Sequence, residues 1–149
     1  MSFEKESPHL RRARLSDASR LADLAGQLGY PTTSRQMAAR LKIVLRDRNA
    51  TCFIAESPHD GVIGWIHVCI TPLLELDRCA EVKGLVVDEN IRSRGTGAML
   101  LAAAEKWASA KRCKFVFVRS NILRERAHAF YLGHGYEHFK SQKAFRKPC

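Results

Sequence analysis

Between Arg92 and Gly97 the sequence reads RSRGTG. Two glycines, two arginines and two hydroxyls stand just ahead of an apolar, helix-like stretch. The first N–H groups of a helix have no partners within it, and the peptide dipole is positive at that end. Glycine removes the Cβ that would keep a bulky anion away. Arg92 and Arg94 add charge, so the segment suits a pyrophosphate. Two common phosphate motifs do not fit. A P-loop needs Lys and Ser/Thr after its last glycine, and here Gly97 is followed by Ala98 and Met99. A dinucleotide fingerprint needs a third glycine where Leu100 stands, and an acidic residue where Arg119 and Ser120 stand. A short glycine turn also serves simply to start a helix, so its surroundings decide its meaning.

The preceding elements set those surroundings. HLRRARL, from His9, is expected as a first strand. A helix follows, capped by Ser16 or Asp17, with Leu21, Leu24, Ala25 and Leu28 on one face and Gly29 and Pro31 at its end. A second helix opens with a Thr33/Gln36 capping box and carries Met37, Leu41, Val44 and Leu45 as its stripe. ATCFIAES and GVIGWIHVCITP then read as a hairpin around PHDG, and AEVKGLVV as a further strand. A long helix runs from Gly95 to about Lys111, with Leu100, Leu101, Ala104, Trp107 and Ala108 facing the core. KFVFVRS reads as a strand buried on both faces. The helix LRERAHAFYLGHG and two short strands, YEHFK and KAFRK, complete the chain. The order is β-α-α-β-β-β-α-β-α-β-β. The β-α-β from residue 80 to 119 implies a parallel pair with a right-handed crossover, and the hairpin implies antiparallel pairing.

The 149 residues suit one domain, 1–149, and a 46% hydrophobic content can fill one core. The formal charge of +10 points to an anionic partner or to a highly soluble surface. Five cysteines, Cys52, Cys69, Cys79, Cys113 and Cys149, form no C-x-x-C pair. Neither a disulfide framework nor a metal site is expected from them. With no apolar leader and no stretch long enough to span a bilayer, a cytoplasmic protein without membrane attachment is expected.

Arg92-x-x-Gly95-x-Gly97 matches the Arg/Gln-x-x-Gly-x-Gly/Ala pattern of the GNAT acyltransferases, after a strand ending LVVD. Ala127, Phe130, Tyr131, Gly135 and Tyr136 fall at the spacing of that family's C-terminal segment. The resemblance extends over nearly the whole chain. It implies an α/β (α+β) fold: a mixed, mostly antiparallel sheet of about six to seven strands, a parallel β-α-β core and helices on both faces. It also implies acetyl transfer from acetyl-CoA to a primary amine within a ternary complex. On this resemblance Arg92, Ser93, Arg94, Gly95, Thr96 and Gly97 cradle the coenzyme A pyrophosphate. Leu85, Val86 and Val87 pair their backbone with its pantetheine arm where two strands splay apart. Tyr131 matches the tyrosine that protonates the departing thiolate, which an ordinary phenol does well at pH 7. Glu81, eleven residues before Arg92, is spaced like the basic glutamate of histone-acetylating members. His67 is a second candidate base. Many members carry asparagine seven residues before the tyrosine; here it is Arg124, with Asn121 nearby to take over its contact.

The acceptor is the least legible part. Tyr30 in LGYP and Glu75 in TPLLELDRCA lie in segments that line the acceptor site in such enzymes. An aminoglycoside, a polyamine, an amino-acid derivative and a protein lysine or N-terminus all remain open, as does a homodimer. Two rival functions are a nucleic-acid-binding module using the HLRRARL arginines, and an idle domain that senses acyl-CoA. Phe115, Phe117 and Phe130 lie in apolar runs rather than between lysines, so nucleic acid is not expected as a partner. Tyr131 argues against the idle domain.

Overall fold

The computed structural model describes residues 7–91 and 95–149. The chain forms two compact units, one ending at Val118 and one starting at Arg119. The first contains strands β1 (His9–Arg12), β2 (Ala50–Ser57), β3 (Gly61–Ile70), β4 (Cys79–Val87) and β5 (Phe115–Val118). Its helices are α1 (Ala18–Gln27), α2 (Ser34–Arg46) and α3 (Thr96–Ala110). The strands lie in the order β1-β2-β3-β4-β5. The first four pair antiparallel, and β5 runs parallel to β4. This is the mixed sheet with a parallel β-α-β core that the sequence implied.

Side-chain alternation assigns the two faces. Cys52 and Ile54 of β2, Trp65 of β3 and Val86 of β4 pack with Leu21, Leu24, Ala25 and Leu41 of α1 and α2. Met37, Val44, Leu45 and Leu28 flank this core, as their helical spacing predicted. The Trp65 indole N–H donates to the Leu21 carbonyl at 3.2 Å, so the one polar atom of a buried ring is satisfied. Helix α3 packs on β2, β3 and β4 from the other face, with Leu100, Leu101, Ala104 and Ala108 buried.

Local signals mostly act as read. The Gln36 N–H donates to Thr33 Oγ1 and the Thr33 N–H to Gln36 Oε1, each at 3.1 Å. Gly29 adopts a φ of 99° after α1. The start of α1 differs from expectation. Asp17 is buried and bonds Arg11 twice at 2.9 Å and the Arg14 N–H at 2.7 Å, instead of capping the helix. A buried carboxylate needs that guanidinium more than the helix needs a cap.

Strand β5 also departs from its reading. Phe115 is 40% exposed and the next three residues are half-buried, because β5 ends the strand order instead of lying inside it. In the second unit, α4 (Glu125–Gly133) forms as predicted. YEHFK and KAFRK do not form strands: residues 134–149 have no regular structure. Phe139 and Phe145 are 66% and 90% exposed, so neither segment has the buried face that stabilises a short strand. The sheet of the described residues thus has five strands, not six or seven.

Candidate active site

Strand β4 is the spine of the site. Against β3 it pairs from Ala80 with Ile70 to Val87 with Gly64. The register slips between His67 and Val68, which face Gly84 and Val82, so Lys83 is the extra residue of a β-bulge. Against β5 only Cys79 to Val82 pair. From the bulge onward, among the described residues, the outer edge of β4 has no strand partner. Leu85, Val86 and Val87 lie on this open stretch. Their backbone can pair with an extended chain entering from outside, by the mode in which a peptide adds to a sheet edge.

Two glycines allow close packing where β3 meets β4. Gly84 lies against the Trp65 ring: a Cβ there would sit 2.8 Å from the ring. At Gly64 a Cβ would sit 2.9 Å from the Val86 carbonyl oxygen and 3.1 Å from Leu100 Cδ1. Neither glycine was singled out in the sequence, although glycine within a strand is a signal of close approach.

After β4 the chain turns on Asp88. Its buried carboxylate accepts from the Asn90 N–H at 3.0 Å and pairs with Arg20, whose Nε donates to the Val62 carbonyl at 2.8 Å. The Glu89 N–H donates to Gln27 Oε1 at 2.9 Å. The Asn90 N–H, then Arg20, hold the Asp88 carboxyl below its ordinary range despite burial. Helix α1 thereby fixes the start of the turn that precedes α3. Arg20, Gln27 and Asp88 are positioning residues the sequence did not reveal, since the partners are far apart in the chain.

Arg92, Ser93 and Arg94 lie outside the described residues. Gly95 sits at the N-cap of α3 with a φ of 77°, a conformation in which glycine is favoured. No side chain caps the helix among the described residues. Thr96 is buried, and its Oγ1 has no hydrogen-bond partner among them. Gly97 lies in the first turn of α3. Uncapped N–H groups, an orphaned hydroxyl and a glycine at the entry all fit an anion at this end of the helix.

On the α1 face of the sheet, His67 follows Trp65 by two residues and faces Gly84 across the ladder. Burial, and to a lesser degree Lys83, lowers its pKa below the ordinary 6.5, so the ring is neutral at pH 7. Glu81 stands opposite Cys69 on the same face, with its carboxylate 2.9 Å from Lys83 Nζ. Tyr30 is 69% exposed after α1, and Glu75 is exposed in the loop before β4.

In the second unit, Asn121 Oδ1 accepts from the Leu123 N–H at 3.0 Å and its carbonyl meets His128 Nε2 at 2.9 Å. Arg124 is the N-cap of α4. Tyr131 makes edge contacts with Phe130 and Tyr136, at ring distances of 5.3 and 5.7 Å. Burial raises its pKa, with Arg124 opposing, so the phenol keeps its proton at neutral pH.

Residues 17–136 match the sequence profile of the Acetyltransferase (GNAT) family. The chain belongs to the GNAT acetyltransferase family. Its members use acetyl-CoA as acyl donor, and the open edge of β4 and the Gly95 turn fit that molecule's arm and pyrophosphate. No curated protein matches the sequence. Among solved structures, aminoglycoside N-acetyltransferase AAC(6')-Iy in complex with CoA is 20% identical, with 99% of this chain and 100% of that one covered at a TM-score of 0.85. A GNAT family acetyltransferase from Staphylococcus aureus is 23% identical over 97% and 100%, with a TM-score of 0.74. A transcriptional regulator from Bacillus halodurans C-125 is 18% identical over 94% and 99%, with a TM-score of 0.83. At such identities the likeness is one of fold, and one fold hosts several functions.

Proposed function

We propose that this GNAT protein transfers an acetyl group from acetyl-CoA to a primary amine. The observation that carries the reading is the half-paired β4, whose ladder with β5 stops at Val82 and leaves Leu85 to Val87 without a strand partner on that edge among the described residues. Leu85, Val86 and Val87 would hold the pantetheine arm by backbone hydrogen bonds. Gly95, Thr96 and Gly97, with Arg92, Ser93 and Arg94, would hold the pyrophosphate, and Asn121 and Arg124 would add contacts from the second unit. Bound there, acetyl-CoA supplies an activated acetyl thioester. The chain's own groups then handle protons. A neutral His67 accepts one from the incoming ammonium, with Glu81, ion-paired to Lys83, as the other candidate base. Tyr131, still a phenol at neutral pH, donates a proton to the leaving thiolate. The acceptor belongs to the cationic amines, with Tyr30 and Glu75 among the residues it would meet. The aminoglycoside enzyme of similar fold makes aminoglycosides the first acceptors to try.

Thermal melts with acetyl-CoA, NAD and a short DNA duplex test the donor. Acetyl-CoA at about 1,000 times its dissociation constant stabilises by roughly 4 kcal/mol. For a domain of this size that is a rise of about 10 °C. A rise with acetyl-CoA alone, followed by thiol release with an aminoglycoside, polyamine or peptide amine, supports transfer. A rise without thiol release from any of them favours an acyl-CoA sensor. A rise with DNA alone overturns the proposal.

A further inference from the structure

The other end of α3 has a chemistry that acetyl transfer does not use. A cleft of about 280 Å³ lies where the C-termini of α2 and α3 meet the first strands. Arg12, Arg46, Arg48 and Lys111 line it, with Trp107 and a single carboxylate, Asp47. None of the four cations takes part in an ion pair among the described residues, although Arg11, next to Arg12, has two. Lys111 Nζ lies 5.8 Å from the centre of the Trp107 ring. Asp47 is held by the Asn49 N–H, which donates to its Oδ1 at 2.8 Å. Cations near helix C-termini offset the dipole, which accounts for Arg46 and Lys111. It does not account for Arg12, which comes from a strand, or for the net surplus of charge in one concavity.

We propose that this cleft is a second anion site, which takes the diphosphate group of a small molecule. Like charges gathered without partners repel one another, and an anion between them relieves that repulsion. Arginine's planar fork bonds phosphoryl oxygens in pairs, and three arginines line this cleft. The four cations and one carboxylate call for a ligand of two to three negative charges. The volume of about 280 Å³ has room for a diphosphate. Concavity and the Asp47 carboxylate both disfavour a continuous nucleic-acid backbone. The site is separated from the Gly95 turn by the length of α3, about 22 Å for its 15 residues. It therefore stands or falls independently of the acetyl-CoA reading.

The test is calorimetric titration of pyrophosphate, and separately of a nucleoside diphosphate, into the full chain with and without acetyl-CoA. Pyrophosphate is expected to bind saturably in both cases. Arg12→Gln with Arg48→Gln is expected to weaken it about tenfold or more while leaving acetyl-CoA affinity unchanged. Ligand-free melts report whether the variant folds, and Arg48→Gln alone serves if the pair does not. Equal affinity for the nucleoside diphosphate means that the diphosphate of a larger metabolite suffices; tighter pyrophosphate binding means the free anion is preferred. Absence of saturable binding overturns the proposal. So does binding that acetyl-CoA abolishes, or that the arginine variants do not change. A DNA duplex that binds more tightly than either small anion also overturns it, in favour of nucleic acid.

Discussion

Tyr131 and His67 are tuned in ways that suit opposite proton duties. Burial raises the pKa of the Tyr131 phenol, so it is protonated at neutral pH and has a proton to give. Tyr131→Phe is expected to leave acetyl-CoA affinity intact and lower turnover on the order of tenfold or more. Binding by calorimetry and steady-state kinetics check the two halves separately, and unchanged turnover removes Tyr131 from the mechanism. Burial moves His67 the other way, toward the neutral ring. A base must be unprotonated to act, so the acid limb of kcat/KM should fall below pH 6.5, after correction for the acceptor amine's own titration. His67→Gln is expected to abolish that limb and reduce kcat/KM about a hundredfold. A limb that survives the substitution returns the role to Glu81. The glycine turn and Tyr131 were legible as candidates because short motifs carry them, Glu81 because of its spacing, and His67 only by residue type. Arg20, Asp88 and the bulge at Lys83 were not, because each depends on register or on a partner dozens of residues away.

The packing of β3 against β4 depends on absent side chains. At Gly84 a methyl group would meet the buried Trp65 ring, which already spends its N–H on Leu21. Gly84→Ala is expected to destabilise the fold by about 1–3 kcal/mol through this overpacking. Gly26 provides the contrast: it lies inside α1 with nothing within 4 Å of an added Cβ. Gly26→Ala should stabilise by roughly 0.5–1 kcal/mol, since helical glycine costs backbone entropy. Urea unfolding of both variants checks the pair, and equal effects would mean that Gly84 has slack. Helices were the most legible elements, because α1, α2 and α3 each show one apolar face at helical spacing. Strands were less so. KFVFVRS reads as a central strand by composition, and only strand order reveals that β5 is partly exposed. YEHFK and KAFRK are short polar runs carrying Phe139 and Phe145, but without a buried face such a run does not make a strand.

At the scale of the molecule, the same buried charges that fix the fold set its response to acid. The Asp17 and Asp88 carboxylates are held below their ordinary 3.8, first by Arg11 and by the Asn90 N–H respectively. A depressed carboxylate contributes stability above its unfolded pKa and loses it as pH falls through the folded one. His67 is also depressed, but there the unfolded chain binds the proton first. Its contribution is whole above 6.5 and declines as pH drops from there toward the lower folded value. The denaturation midpoint in urea is therefore expected to hold steady from pH 8 to about 6.5, fall gently below it, and fall steeply under pH 4. His67→Gln should remove the gentle stage and leave the steep one. Asp88→Asn should shorten the steep stage and lower the plateau, because Arg20 loses its carboxylate partner. A single transition near pH 4 in the unmodified protein, insensitive to His67→Gln, would mean that the ring is not held neutral in the folded state. It would then be a weaker candidate for the base.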